Sequence, residues 1–272
     1  RLSNGSVSWD SARVATNGLG SAMVTWTGRI YYDNYVLGRH LGTDGQWKEV
    51  QNVGYGWDSD ITMNAAGEAL LGFSTGYWGT DVGARMYSPT GGWNGSWYMP
   101  QDYYRKEEVR VVMDNHGHAL ALWKRYEGGW TGYSLWANDY DSASGWRTPR
   151  RLSTPVKNYD YYAHLVDIYD VAMSPNGDAV VVWRQPEGTT FSVFAAHYSP
   201  ATGWDTASVI SNGLDRGANP AVAIDAAGNA MAVWITSRSA SDGKEYGYPL
   251  WARRYEPGSG WKETMRLDPG ST

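Results

Sequence analysis

The sequence contains no cysteine. That excludes disulfides, thiolate nucleophiles and cysteine-ligated zinc or iron–sulfur centres, and leaves carboxylate, imidazole or carbonyl oxygen for any metal. Histidine is scarce, with 5 in 272 residues. The one close pair, His116 and His118, falls in a predicted turn and reads as an exposed turn rather than a ligand pair. No metal and no other cofactor is expected. No stretch approaches the ~20 apolar residues of a membrane-spanning helix, and Arg1 to Asp10 lack a signal-peptide apolar run. Membrane insertion is not expected. Helical periodicity with caps is also missing. Lysine and arginine are scattered singly, and a net charge of −5 with a pI near 5.5 opposes a nucleic-acid partner. Phosphate loop, Gly-x-Ser-x-Gly elbow, His-Glu-x-x-His motif and dinucleotide fingerprint are all absent, which removes several enzyme classes and leaves carbohydrate chemistry open.

What is abundant is aromatic side chain with a polar edge: 16 Trp and 20 Tyr against 3 Phe. These rings suit wet surfaces as well as cores. They also mark a repeat. Gly-x-Ala-x-x-x-aromatic occurs at Gly20 to Trp26, Gly67 to Phe73, Gly117 to Trp123, Gly177 to Trp183 and Gly228 to Trp234. After each copy comes a pair six residues apart: Tyr87 and Trp93, Tyr140 and Trp146, Tyr198 and Trp204, Tyr255 and Trp261, with Leu41 and Trp47 as the divergent first copy.

In each copy an apolar run such as Ala221 to Ile224, a turn Asp225 to Gly228 and a second run Ala230 to Trp234 predict a tight hairpin. A third strand through Leu250 to Tyr255, a turn Glu256 to Gly260 and a fourth strand opened by Trp261 complete the unit. The small and apolar residues of the first two strands predict burial on both faces. Such a unit cannot bury its faces alone, and radial repetition is the usual solution. The expected fold is all-β: a five-bladed β-propeller of four-stranded antiparallel blades. It would be one domain over 1–272, with repeats near 4–53, 54–100, 101–153, 154–211 and 212–268. Arg1-Leu2-Ser3 echoes Arg151-Leu152-Ser153 and Arg266-Leu267-Asp268, so the first residues read like the tail of a fourth strand.

The segments Asp225 to Trp234 and Trp251-Ala252-Arg253-Arg254-Tyr255 resemble repeats of bacterial secreted propeller-like proteins. Five similar blades also resemble the architecture of tachylectin-2-type lectins at the level of fold. The resemblance implies a secreted, cell-surface or periplasmic bacterial protein, and a monomer is expected. It carries scaffold residues and no catalytic signature.

Loops joining strands two to three and blade to blade share one face, and there the copies diverge. The longest insertions lie around Lys157 to His164 and Ser237 to Tyr248. Aromatic and charged residues crowd the same loops: Trp9 and Asp10; Trp57, Asp58 and Asp60; Tyr104, Arg105, Glu107 and Glu108; Trp130; Tyr161 and His164; Tyr246. Seven residues before each repeat glycine stand Arg13, Asp60, Arg110, Asp170 and Ala221. Four charges on strands that should be apolar require pairing or a ligand. Two readings stay open at these positions, an Arg–Asp system linking neighbouring blades and a polar ligand pocket.

The expected partner is a glycan or polysaccharide, with Trp and Tyr faces stacking on sugar rings. Candidate ligand-binding residues are Arg13, Arg110, Trp57, Tyr104, Tyr161, His164, Trp130 and Tyr246. The alternative is a glycoside hydrolase or polysaccharide lyase, with Asp60, Asp170, Glu108 and Asp10 as candidate catalytic carboxylates. A protein-interaction platform is the third reading.

Overall fold

A computed structural model describes residues 12–30, 33–76, 79–99, 102, 104–128, 132–153, 169–187, 190–211, 216–237 and 249–268. Among them there is no helix, and the strands form five antiparallel sheets, each ordered as in the sequence. These are the blades of a five-bladed β-propeller fold. Blade one is Arg13–Thr16, Ala22–Ile30, Asp33–Leu41 and Gln51–Tyr55. Blade two is Trp57–Met63, Ala69–Thr75 and Asp81–Ser88, with its fourth strand in two pieces, Gly92–Trp93 and Trp97–Tyr98. Blade three has Lys106–Met113, His118–Tyr126, Tyr133–Asp141, then Gly145–Trp146 and Arg150–Arg151. Blade four has Tyr169–Met173, Ala179–Glu187, Thr190–Ser199, then Gly203–Trp204 and Ser208–Val209; blade five has Arg216–Ile224, Ala230–Ser237, Leu250–Glu256 and Gly260–Arg266. Contacts cluster in two units, residues 1–126 with 135–150 and residues 127–134 with 151–272.

The repeat signals have direct geometric causes. Each repeat glycine sits at positive φ, from 80° at Gly67 to 95° at Gly177, which closes the hairpin between strands one and two. The six-residue aromatic spacing is a cross-strand pair at the next turn: Tyr87 faces Trp93 with ring centroids 5.4 Å apart, and Tyr198 faces Trp204 at 5.3 Å. Leu41 and Trp47 make the corresponding bridge in blade one. Val14, Ile61, Val111, Val171 and Val222 occupy the same register, each one residue beyond the aligned position that carries a charge in the first four copies.

Second strands are mostly buried, Ala69–Thr75 along its whole length, with exceptions such as Arg29 and Met231. First strands are not. Arg13–Thr16 alternates half-buried with exposed, and Lys106–Met113 alternates buried with half-buried, which corrects the expectation of burial on both faces. Among the described residues each first strand is an edge of its sheet, with no further strand of the blade on its other side to cover it.

In the first unit Met23, Val36 and Val53 of blade one pack with Ile61, Leu71 and Phe73 of blade two. Leu70, Val82 and Met99 of blade two pack with Val109, Val111 and Trp123 of blade three. In the second unit Val180, Val193 and Ile210 of blade four pack with Ala232 and Trp234 of blade five. At about 25 cal/mol per Å² of apolar area removed from water, these sandwiches are the main stabilising term. The fit is close: a Cβ on Gly72 would lie 2.5 Å from Val111 Cγ1 and 2.9 Å from Val109 Cγ1.

Side chains tie adjacent blades to one another's backbone. Asp60 Oδ2 accepts the Val111 N–H at 3.0 Å, and Asp170 Oδ2, its counterpart in blade four, accepts the Val222 N–H at 2.9 Å. Arg85 Nη1 donates to the Val53 carbonyl at 2.9 Å, and Arg253 Nη1 to the Ile210 carbonyl at 3.1 Å. At the hairpin end Asn115 Oδ1 accepts the Ala65 N–H, and Asn176 Nδ2 donates to the Ala226 carbonyl. The aspartate and arginine stitches recur in both units because residues at one repeat position meet the same backbone atom of a neighbouring copy.

Candidate functional site

The first unit carries a cleft of about 780 Å³ lined by Thr27, Asn34, Trp57, Asp58, Arg105, Glu107 and Glu108. Its walls come from the end of strand two and start of strand three in blade one, and from the starts of the first strands of blades two and three. Those are the ends from which the divergent loops emerge.

Two β-bulges build it. On the first strand of blade two Trp57 pairs with Ser74 and Ser59 with Phe73, leaving Asp58 as the extra residue at φ 49°. On that of blade three the register shifts between Glu107 and Arg110, with Glu108 at φ 53°. Blade five repeats the device at Asn219, φ 49°, again two residues before the aligned position. A left-handed backbone at a non-glycine residue costs roughly 1 kcal/mol or more and persists only where the surroundings hold it. Here they do. Asp58 Oδ2 accepts the Glu108 N–H and, at 3.3 Å, the Val109 N–H, so one bulge is pinned to the other.

The rim is equally well fixed. Gly56, just before Trp57, donates its N–H to the Asn34 carbonyl at 3.0 Å, and a Cβ there would fall 2.1 Å from the Ser74 carbonyl oxygen, so no other residue fits. Gly79 lies against the Trp57 ring, and its carbonyl accepts the Lys106 N–H at 2.6 Å. The Lys106 ammonium, 3% exposed, donates to the carbonyls of Thr80 and Tyr104 and to Asp102 Oδ1 at 2.6 Å, which ties down the residues leading to Arg105. Arg125 pairs with Asp102 at 2.8 Å and lies 4.3 Å from the Tyr104 ring and 5.0 Å from that of Trp136.

Charge in the cleft is uneven. Arg105 pairs with Glu107 at 3.0 Å, and the Lys124 ammonium reaches Glu108 at 2.5 Å and Glu107 at 3.8 Å. Asp60 lies on the same strand as Asp58. Burial pushes its carboxyl above the ordinary range, opposed by the Val111 N–H and by Arg110 and Arg13, the latter at 3.8 Å.

Of the residues singled out in the sequence, Trp57 and Glu108 line the cleft, and Tyr104, an exposed residue, adjoins Arg105. Arg13 and Arg110 both act on Asp60, and Arg110 Nη1 also donates to the Val109 carbonyl. Asp60 and Asp170 carry blade-linking hydrogen bonds. Asp10, Trp130, Tyr161, His164 and Tyr246 lie outside the described residues. Thr27, Asn34 and Lys124 were not legible as site residues; topology alone brings them to the divergent end of their blades. The His116 and His118 turn is organised by the buried Asp114, whose Oδ1 accepts both histidine N–H groups at 2.8 Å.

No protein-family model matches the chain, and no curated protein matches it in sequence. Solved structures do. An ulvan lyase, described as a new polysaccharide lyase family, superposes with a TM-score of 0.57 at 11% identity, covering 95% of this chain and 71% of that one. The same kind of lyase bound to -[GlcA(1-4)Rha3S]- gives 0.57 at 12% identity over the same shares. A protein of unknown function from Dyadobacter fermentans gives 0.50 at 13% identity, covering 94% and 82%. At these identities the likeness is one of fold.

Proposed function

We propose that this chain is a glycan-recognition β-propeller whose cleft between Trp57 and Glu108 takes a polysaccharide segment. One observation carries the reading: two interlocked, strained bulges set an indole, three carboxylates and a guanidinium around one open cleft of about 780 Å³. An indole face matches the apolar side of a sugar ring, while carboxylate and guanidinium match its hydroxyls as acceptor and donor. Fixing these groups beforehand reduces the ordering cost of binding. The fold shared with a polysaccharide lyase supports the assignment, as do the polar-edged aromatics of the divergent loops. Such a site fits an extracellular setting.

A second reading, hydrolase or lyase, is favoured by the left-handed backbone at Asp58 and Glu108, since strain of this kind gathers where side chains must be aimed. One experiment separates the two. Oligosaccharides from plant, algal and bacterial polysaccharides are titrated calorimetrically, then incubated with protein and assayed for new reducing ends and for the absorbance of an unsaturated uronate. Saturable binding without product, weakened at least about tenfold by Trp57→Ala, supports the binding module. Product formation abolished by Asp58→Asn or Glu108→Gln replaces it with an enzyme. Absence of binding across the panel transfers the cleft to a protein partner.

A further inference from the structure

The fold neighbour was captured on an anionic saccharide bearing uronate and sulfate. The cleft described above has the wrong charge for such a ligand. Its lining carries three carboxylates, Asp58, Glu107 and Glu108, against one guanidinium, Arg105. Both cations in reach are already engaged: Arg105 with Glu107 at 3.0 Å, and Lys124, 6% exposed, with Glu108 at 2.5 Å. The other arginines of these first strands, Arg13 and Arg110, stand near Asp60 and are not among the lining residues. An anionic sugar would have to break these pairs or lie beside Asp58, whose carboxylate meets backbone N–H groups and, among the described residues, no cation, and like charges brought together in a partly desolvated cleft repel.

We infer that the cleft selects glycans without carboxylate or sulfate groups and rejects polyuronates and sulfated polysaccharides. The inference rests on the glycan reading of the site and narrows it to a substrate class. The three carboxylates serve as hydrogen-bond acceptors for sugar hydroxyls, which an uncharged sugar supplies at every ring, while their charge excludes acidic competitors. Specificity of this kind comes from a repulsive element built into the wall.

The test uses matched saccharides in which the acidic group is capped, reduced or removed on the same backbone: polygalacturonate fragments against their methyl esters, and glucuronoxylan and ulvan fragments before and after carboxyl reduction and desulfation. Calorimetry at low and at moderate salt should give the uncharged member of a pair at least about tenfold tighter binding, with the gap closing as salt screens the repulsion. Glu107→Gln should narrow the gap by raising affinity for the charged member, because it removes one wall charge and releases Arg105. A charged member binding as tightly as its uncharged twin overturns the selectivity and leaves glycan recognition standing. So does a gap that Glu107→Gln leaves unchanged. No binding by either member of any pair removes both.

Discussion

Replacing Asp60 tests whether the charged residues seven positions before each repeat glycine hold blades together. The carboxylate, 17% exposed, accepts the Val111 N–H of the next blade at 3.0 Å. Asp60→Ala leaves that N–H without its acceptor, at a cost of about 1–3 kcal/mol. Asp60→Asn keeps an oxygen in place and removes the buried charge, so it should cost well under half as much. Arg13, 3.8 Å from Asp60 and 34% exposed, contributes at most ~1 kcal/mol, and Arg13→Ala should do little. Asp170→Ala supplies a second instance, since Asp170 meets the Val222 N–H at 2.9 Å in the other unit. Urea unfolding followed by tryptophan fluorescence measures the loss, and amide exchange at Val111 localises it. Charge adds a pH signature. Burial raises the Asp60 carboxyl above its ordinary value, so its contribution is fully present below the unfolded value of about 3.9 and is lost as pH rises through the folded one. Wild type should therefore gain stability relative to Asp60→Asn as pH falls from neutral toward 4. Asp60→Ala within about 0.5 kcal/mol of wild type, or Asn as damaging as Ala, would refute the reasoning.

Gly72→Ala should destabilise the first unit by about 1–3 kcal/mol in the same urea assay, because its methyl meets Val111 and Val109 inside van der Waals distance. Asp58→Asn should fold normally, since asparagine tolerates left-handed backbone and retains an acceptor for Glu108 and Val109; Asp58→Val loses both and should cost more than ~2 kcal/mol, read as a shift in urea midpoint. His40 bridges blades one and two, with Ser21 Oγ at 2.7 Å and the Tyr87 hydroxyl at 3.2 Å. Burial and then Lys48 hold its imidazole below the usual value, so its stabilising contribution is present above about pH 6.5 and is lost as pH falls through the folded value. His40→Gln should flatten the stability–pH curve between neutrality and pH 5 in thermal melts, and an unchanged curve would assign the acid sensitivity elsewhere.

The bulge at Asn219 extends the same logic to the second unit, where it stands exposed two residues before Ala221. A bulge that recurs at one repeat position in blades two, three and five is a property of the repeat. Its place in the lining of the cleft is local to blades two and three, where acidic side chains and Trp57 occupy it.

Repetition made the fold readable from residues alone. A glycine that must take positive φ and a Tyr–Trp pair that must meet across a turn are local requirements, and local requirements leave a fixed spacing in the chain. The aligned charges were legible for the same reason, as was their need for partners. Which of the two open readings applied was not legible, because the backbone N–H that Asp60 accepts, 51 residues away, is chosen by how one blade packs on the next. The cleft lay further out of reach. Asp58 and Glu108 share a repeat position, but Thr27, Asn34 and Arg105 reach the same cleft with no spacing in common. The bulges that aim them arise where a strand edge adjusts to its neighbour, a balance of packing and hydrogen bonding that exists only once the blades have met.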